Sequence, residues 1–332
     1  MQSEIPGHTF FNGPIFLVGM PRSGTKLLRD LLNQHPRIAI PSIETEFLPG
    51  LLRKHTASKV FTRIEFRELY AEITKFPYFN YLQESGHQLA EEEWFSSCIT
   101  PDLPRLFEAL IRCSTQTEGS EDVLWGDKSP SYISHTTLLK AAFPAARFIH
   151  IVRDVRDYAV SISAAWGKNR LRATQRWADA LDAIAVDTAA IANDVLVIRY
   201  EDLLEDPKST MRRILDFLDL EFDDRVLKLT KTPENLGDTK GQMTIVSSNK
   251  NKYTSVMSAG EIEALEKLAG DTLQRYGYTT IYRGPRQRLS KMTEKFYQLQ
   301  DAVNMVRFER ENRGYWGSIK FYWRYFKATR GL

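Results

Sequence analysis

The chain has 332 residues, 42% of them hydrophobic and 26% charged, with a formal net charge of +3. That length and composition exclude bulk disorder, collagen and solenoid arrays, and point to one large α/β domain with insertions and a C-terminal appendage. Two cysteines, Cys98 and Cys113, exclude a disulfide framework, lack metal-ligand spacing and read as buried free thiols.

In chain order, residues 1–13 have neither a basic start nor an apolar run, so they do not read as a signal peptide. Pro14-Ile-Phe-Leu-Val-Gly-Met20 is a short apolar run ending at glycine, the pattern of a strand buried on both faces. A helix is expected over 23–34, with Leu27, Leu28, Leu31 and Leu32 on one side and His35-Pro36 as its stop. Residues 37–41 form a short second strand, and Glu44 lies in the turn behind it. From about 48 to 118 the chain is mostly helical, broken near Pro77, Gly86, Pro101 and Pro104, and reads as a substrate-covering insertion. Further strands are predicted at 123–125, 147–152 and 195–198, and helices at 155–166, 172–193, 207–218 and 261–276; residues 235–258 read as polar loop. Strands alternating with helices imply a central parallel sheet flanked by helices, with ligands beyond the carboxyl ends of the strands.

No stretch approaches the ~20 apolar residues of a membrane span, so a soluble, cytoplasmic protein is expected. Charge is distributed unevenly. Residues 283–332 hold twelve Lys/Arg against four Asp/Glu, a net of +8, which leaves −5 for the rest. With Tyr315-Trp316 and Phe321-Tyr-Trp-Arg-Tyr-Phe326, this tail reads as a basic, aromatic, helical extension. It suits peripheral contact with an anionic membrane, a polyanion or a partner, or packing on the main domain. The acidic body argues against nucleic acid.

Chemistry concentrates after the strands. In Gly19-Met-Pro-Arg-Ser-Gly-Thr25 a glycine-containing loop joins a buried strand to a helix, which turns backbone N–H groups and the positive helix end toward one anion. Ser23 and Thr25 add hydroxyls, and Arg22 adds a fork matched to a tetrahedral oxyanion. Gly19 and Gly24 keep the spacing of the triphosphate loop G-x-x-x-x-G-K-[ST], but Thr25-Lys26 reverses its last pair. Asp127 and Asp154 are candidate metal-holding acids, each weakened by an adjacent cation, Lys128 or Arg153. The loop therefore reads as a metal-free seat for one anionic group. After the strand at 147–152, Arg153, Arg156 and Ser161 either converge on a second phosphate or form ion pairs with Asp154 and Asp157. Among the histidines, His150 reads as core and His35 as local capping, while His8, His55, His87 and His135 lack partner spacing, so no histidine base is expected.

Pro21-Arg-Ser-Gly-Thr25 resembles the 5′-phosphosulfate loop of sulfotransferases that use 3′-phosphoadenosine-5′-phosphosulfate (PAPS), and Arg153 with Ser161 has the spacing of that family's 3′-phosphate motif. Trp125-Gly-Asp-Lys-Ser-Pro130 and Arg199-Tyr-Glu-Asp-Leu203 resemble two further stretches of its bacterial members. The resemblance covers roughly residues 14–280. It implies a P-loop nucleotide-kinase-like α/β domain over 1–282, an extension over 283–332, PAPS as donor, PAP as product and no catalytic metal. It assigns Pro21, Arg22, Ser23, Gly24, Thr25 and Lys26 to the 5′-phosphate and Arg153 and Ser161 to the 3′-phosphate; Lys26 stands where many members carry a second Thr. Lys250 and Lys252, in the basic loop 247–252, are candidates to close over the 3′-phosphate.

Sulfuryl transfer needs a base for the acceptor proton. Glu44-Thr-Glu-Phe-Leu-Pro49 resembles the base-bearing segment of tyrosylprotein sulfotransferases, which makes Glu44 the base, with helix capping as its ordinary role and Glu46, where those enzymes carry Arg, as the substitute. Lys128 is the strand-end cation that stabilises the moving charge, together with Arg22. The expected acceptor is a hydroxyl on a carbohydrate or glycoconjugate, with a tyrosyl peptide or small molecule as competitor. A P-loop kinase using Mg-ATP and a non-catalytic nucleotide-binding scaffold are the rival classes.

Overall fold

The computed structural model describes residues 11–87, 89–233 and 239–330, and for 309, 311–313 and 315–330 the backbone alone. Residues 1–10 and the aromatic side chains of Tyr315-Trp316 and 321–326 thus lie outside what is described.

Five strands, β1 (Ile15–Gly19), β2 (Ile38–Ala39), β3 (Leu124–Asp127), β4 (Arg147–Val152) and β5 (Val195–Arg199), form one sheet in the order β2-β3-β1-β4-β5. Every pairing is parallel, and Phe16 of β1 lies beside Asp127 on one side and Phe148 on the other. β1 is central and wholly buried, with Phe16 and Val18 in one core and Ile15 and Leu17 in the core behind the sheet. Two covered faces explain why its sequence is continuously apolar rather than alternating.

Helix α1 (Thr25–Leu32) follows β1. It begins two residues later than the apolar pattern predicted, because Ser23 and the left-handed Gly24 belong to the loop. The insertion comprises α2 (Leu48–Lys54), α3 (Arg63–Ile73), α4 (Pro77–Glu84), α5 (Glu91–Ser97) and α6 (Leu103–Thr115). Pro77 and Pro104 stand in first turns, where a missing N–H costs nothing. Phe47, Phe66, Trp94 and Phe107 pack the insertion onto the main core.

Beyond β3 come α7 (Thr136–Ala142), then α8 (Val155–Trp166) and α9 (Arg170–Asp187) after β4. α9 stops six residues short of its predicted end, and a 3₁₀ turn, Ala189–Asp194, leads into β5. There follow α10 (Tyr200–Glu205), α11 (Pro207–Phe217), the one-turn α12 (Tyr253–Val256), and α13 (Ala259–Ala269) with α14 (Asp271–Arg275), divided at Gly270. Cys98 and Cys113 are half-buried rather than buried.

The long α15 (Lys291–Arg330), kinked at Gly314, is fastened to α8 and α9 in its first half. Asp301 accepts from the Asn169 N–H at 2.7 Å and pairs with Arg172 at 2.6 Å, and Asn304 donates to the Gly167 carbonyl at 2.7 Å. Among the described residues no helix is long and apolar enough to cross a membrane.

Candidate active site

The loop between β1 and α1 is shaped by close packing. A Cβ on Gly19 would lie 2.6 Å from the Ile151 carbonyl oxygen, and one on Gly24 would lie 2.3 Å from the Tyr200 ring. Gly24 also sits at φ +93°, a left-handed conformation that favours glycine. Arg22 adopts φ +70° without being glycine, and its side chain reaches over the loop toward α8, where Nε donates to Ser161 Oγ at 3.4 Å. Ser23 is wholly buried, and its Oγ has no hydrogen-bond partner among the described residues. A buried hydroxyl at a helix N-terminus in that condition fits an incoming anion. Thr25 is buried at the first position of α1, whereas Pro21 is exposed.

Arg153, at the end of β4, is buried and joins the two expected anion sites. It donates to the Arg22 carbonyl at 3.1 Å and the Asn249 carbonyl at 3.2 Å, and lies over the Tyr200 ring at 4.7 Å. Its Nε is buried without a partner among the described residues. Arg22, Gly24, Arg153, Asp157, Ser161, Tyr200, Asn249 and Lys252 line one cleft. Lys250 does not enter it, since its ammonium pairs with Glu205 on α10.

Arg156 is also absent from this group. It is buried in ion pairs with Asp154 at 2.6 Å and Glu266 at 2.7 Å, with its guanidinium 4.4 Å from the centre of the Tyr253 ring. The alternative of ion pairing therefore holds for Arg156, in the interior rather than at the surface, while Arg153 and Ser161 face the cleft. Asp154 is committed to capping α8 and to Arg156.

The second cluster forms where β2 and β3 end. Lys128, only 1% exposed, donates to Glu44 Oε1. Burial lowers its pKa, the Glu44 carboxylate raises it, and the Arg29 and Lys26 cations lower it again. The strand ends are pinned together by Ser129 Oγ, which accepts from Thr45 N at 3.1 Å, and by a 2.6 Å bond between Thr45 Oγ1 and the Tyr132 hydroxyl. Glu46 turns back at φ +57°, which sets its carboxyl beside Glu44. Although much of the residue is exposed, the carboxyl itself is crowded; desolvation first, then the Glu44 and Asp127 carboxylates, push it up to about 7. Asp127 is wholly buried, and burial raises it to about 6.

Sequence reasoning gave no role at the site to three contributors. Tyr200 packs on Gly24 and carries Arg153, Asn249 anchors the late loop through its 2.7 Å bond to the Tyr200 hydroxyl, and Asp157 accepts from Tyr253 N at 3.0 Å. Tyr200 belongs to the Arg199–Leu203 stretch already singled out, so the signal was present without a role attached. His150 is fully buried, with its pKa pushed down to about 3 by burial.

Residues 14–224 match the model of the sulfotransferase family, and the chain belongs to that family. It is 28% identical over 221 residues to protein-tyrosine sulfotransferase A of Caenorhabditis elegans, covering 64% of this chain and 51% of that protein. It is 26% identical over 263 residues to protein-tyrosine sulfotransferase 1 of Danio rerio, covering 77% of this chain and 65% of that one. The chain thus spans between half and two thirds of these two relatives' lengths. In structure it is similar to the sulfotransferase domain from the curacin biosynthetic pathway, with a TM-score of 0.54 at 17% identity, over 82% of this chain and 99% of that one. That likeness concerns the fold.

Proposed function

We propose that this protein transfers a sulfuryl group from PAPS to an acceptor hydroxyl. The observation that carries the reading is the Arg153–Arg22–Ser161 linkage, which brings together in one cleft residues proposed for both phosphates, with the Lys128–Glu44 pair just beyond the neighbouring strands β3 and β2. The buried, unpartnered Ser23 Oγ and Arg153 Nε are the donors that such a ligand would satisfy. Ser23, Gly24, Thr25, Lys26 and Arg22 hold the 5′ group, and Arg153 and Ser161 hold the 3′-phosphate, with Lys252 closing from the late loop. Lys250 has the weaker case, since it is engaged with Glu205.

Bound there, the donor supplies an electrophilic sulfuryl group. Glu44 orients the acceptor hydroxyl and takes its proton at the carboxylate, while Lys128 and Arg22 neutralise the negative charge that shifts during transfer. Lys128 can serve because burial leaves it dry, where one charge counts for more than in water. Glu46 is the alternative base, with a carboxyl raised to about 7.

For the acceptor we favour a carbohydrate or glycoconjugate. The adjacent Glu44 and Glu46 carboxyls offer several oxygens, which suits neighbouring hydroxyls of a sugar. A tyrosyl peptide is the second reading, favoured by the protein-tyrosine sulfotransferases among the relatives. Radiolabelled PAPS, with EDTA present, offered sugars, glycolipids and tyrosyl peptides tests both. Label in a sugar or glycolipid supports the first reading, label in peptide only supports the second, and no label in any hydroxyl acceptor contradicts transferase activity.

A further inference from the structure

Met292, Phe296, Leu299 and Val303 of α15 are 82%, 65%, 66% and 44% exposed. Their spacings of four, three and four residues put them within roughly 60° of arc on a helix of 3.6 residues per turn. Asp301 falls on the opposite side by the same geometry, and its bonds to Asn169 and Arg172 fasten that side to the body. The apolar stripe is thereby held outward by its own anchor. Surface residues of this type are ordinarily scattered, and a contiguous stripe calls for something that covers it.

The charges flanking the stripe indicate what kind of surface that is. Lys291, Lys295 and Arg307 are exposed on or beside its side of the helix. The only acids from 291 to 307, Glu294 and Asp301, fall on the anchored side. Two copies pairing through this stripe would bring cations against cations with no acid to answer them, contrary to the complementary flanks of helical pairs. An anionic surface with an apolar interior answers both features, since apolar side chains enter the acyl boundary while lysine and arginine meet the headgroups. Beyond Arg307 the sequence carries Arg310, Arg313 and Lys320 against Glu309 and Glu311, with Trp316 among them, so it remains basic in balance.

We infer that the outward face of α15 docks the protein on an anionic lipid membrane. This is independent of the acceptor's identity. Such docking holds the body by α8 and α9 at a fixed attitude to the bilayer, through the Asp301 and Asn304 anchors.

The test is co-sedimentation of the full chain with vesicles of phosphatidylcholine alone and of phosphatidylcholine containing phosphatidylserine, with heparin binding and sedimentation velocity alongside. The expected result is partition onto the anionic vesicles only, weakened by salt, and reduced about tenfold or more by Phe296→Glu with Leu299→Glu. Lys291→Glu with Lys295→Glu, also at exposed positions, serves as the second variant and reduces anionic binding in the same direction. Melting temperatures equal to the parent show that the variants fold. Equal binding to neutral vesicles, binding unchanged by either variant, heparin binding without vesicle binding, or a dimer dissolved by the apolar variant without vesicle binding would each overturn the inference.

Discussion

Lys128 and Glu44 stand 84 residues apart in sequence and form a direct ion pair, the ammonium 1% and the carboxylate 30% exposed. Lys128 directly follows β3, while Glu44 lies five residues past the paired strand β2, where the Thr45–Ser129 hydrogen bond holds the two segments together. The pair is asymmetric: the cation is shut away from water, while its partner remains open to an incoming hydroxyl. Glu44→Gln keeps an oxygen for Lys128 but removes the base. Sulfuryl transfer is expected to fall about 10²- to 10⁴-fold. PAP affinity should stay unchanged by calorimetry, because Glu44 belongs to a different cluster from the Arg22–Arg153–Ser161 cleft. An unchanged transfer rate would remove Glu44 from the chemistry.

Glu46 gives a pH dependence with a definite sign. Its carboxyl is raised to about 7, first by desolvation and then by Glu44 and Asp127, while Lys128 opposes them. As pH rises through that value, Glu46 becomes a carboxylate able, as the alternative base, to receive the acceptor's proton. Turnover should therefore increase across neutrality, and Glu46→Gln should remove that limb and remain at the low-pH level. Profiles of kcat/KM from about pH 5.5 to 8.5 check this; the same inflection in both proteins would rule out Glu46 as its source.

His150 affects stability rather than chemistry. Its pKa is depressed to about 3 by burial in β4, against an ordinary 6.5. A depressed group contributes stability that is present above its unfolded pKa and is lost as pH falls from about 6.5 toward 3. One pH unit below 6.5 the loss is about 1.4 kcal/mol. Asp127, raised to about 6, works in the opposite direction: its contribution is lost as pH rises through 6. Comparing His150→Leu with the parent cancels Asp127, and the difference in melting temperature should move steadily in the variant's favour as pH falls from about 6.5 to 4.5. Parallel curves would show that the site accommodates a charged imidazole.

The strand–loop–helix at 15–32 was legible because three local signals agree there: an apolar strand, a glycine loop and an amphipathic helix. β4 and α8 appear with their predicted ends, since each has a sharp boundary, at Arg147 and at the left-handed Gly167. The break at Gly270 was missed, because Glu261 to Tyr276 keeps helical periodicity across it. The site divides in the same way. Arg22, Ser161 and Arg153 could be paired from motif spacing, but Lys250 and Lys252 could not be told apart, since only folding turns one to Glu205 and the other to the cleft. Tyr200's support of Gly24 and Arg153 is a contact between distant segments with no local pattern. For Arg156 the sequence left two readings open, and burial against Glu266, 110 residues away, decides between them.

The most direct measurement is calorimetric titration of the protein and of Arg153→Ala with PAP in EDTA, and separately with Mg-ATP. PAP is expected to bind the parent without metal, Arg153→Ala to weaken that binding roughly 10- to 100-fold through loss of a charged, hydrogen-bonding anchor, and Mg-ATP to give no comparable heat. Tight Mg-ATP binding with none for PAP, or equal PAP affinity in the two proteins, would contradict the assignment of this cleft to a PAPS-type donor.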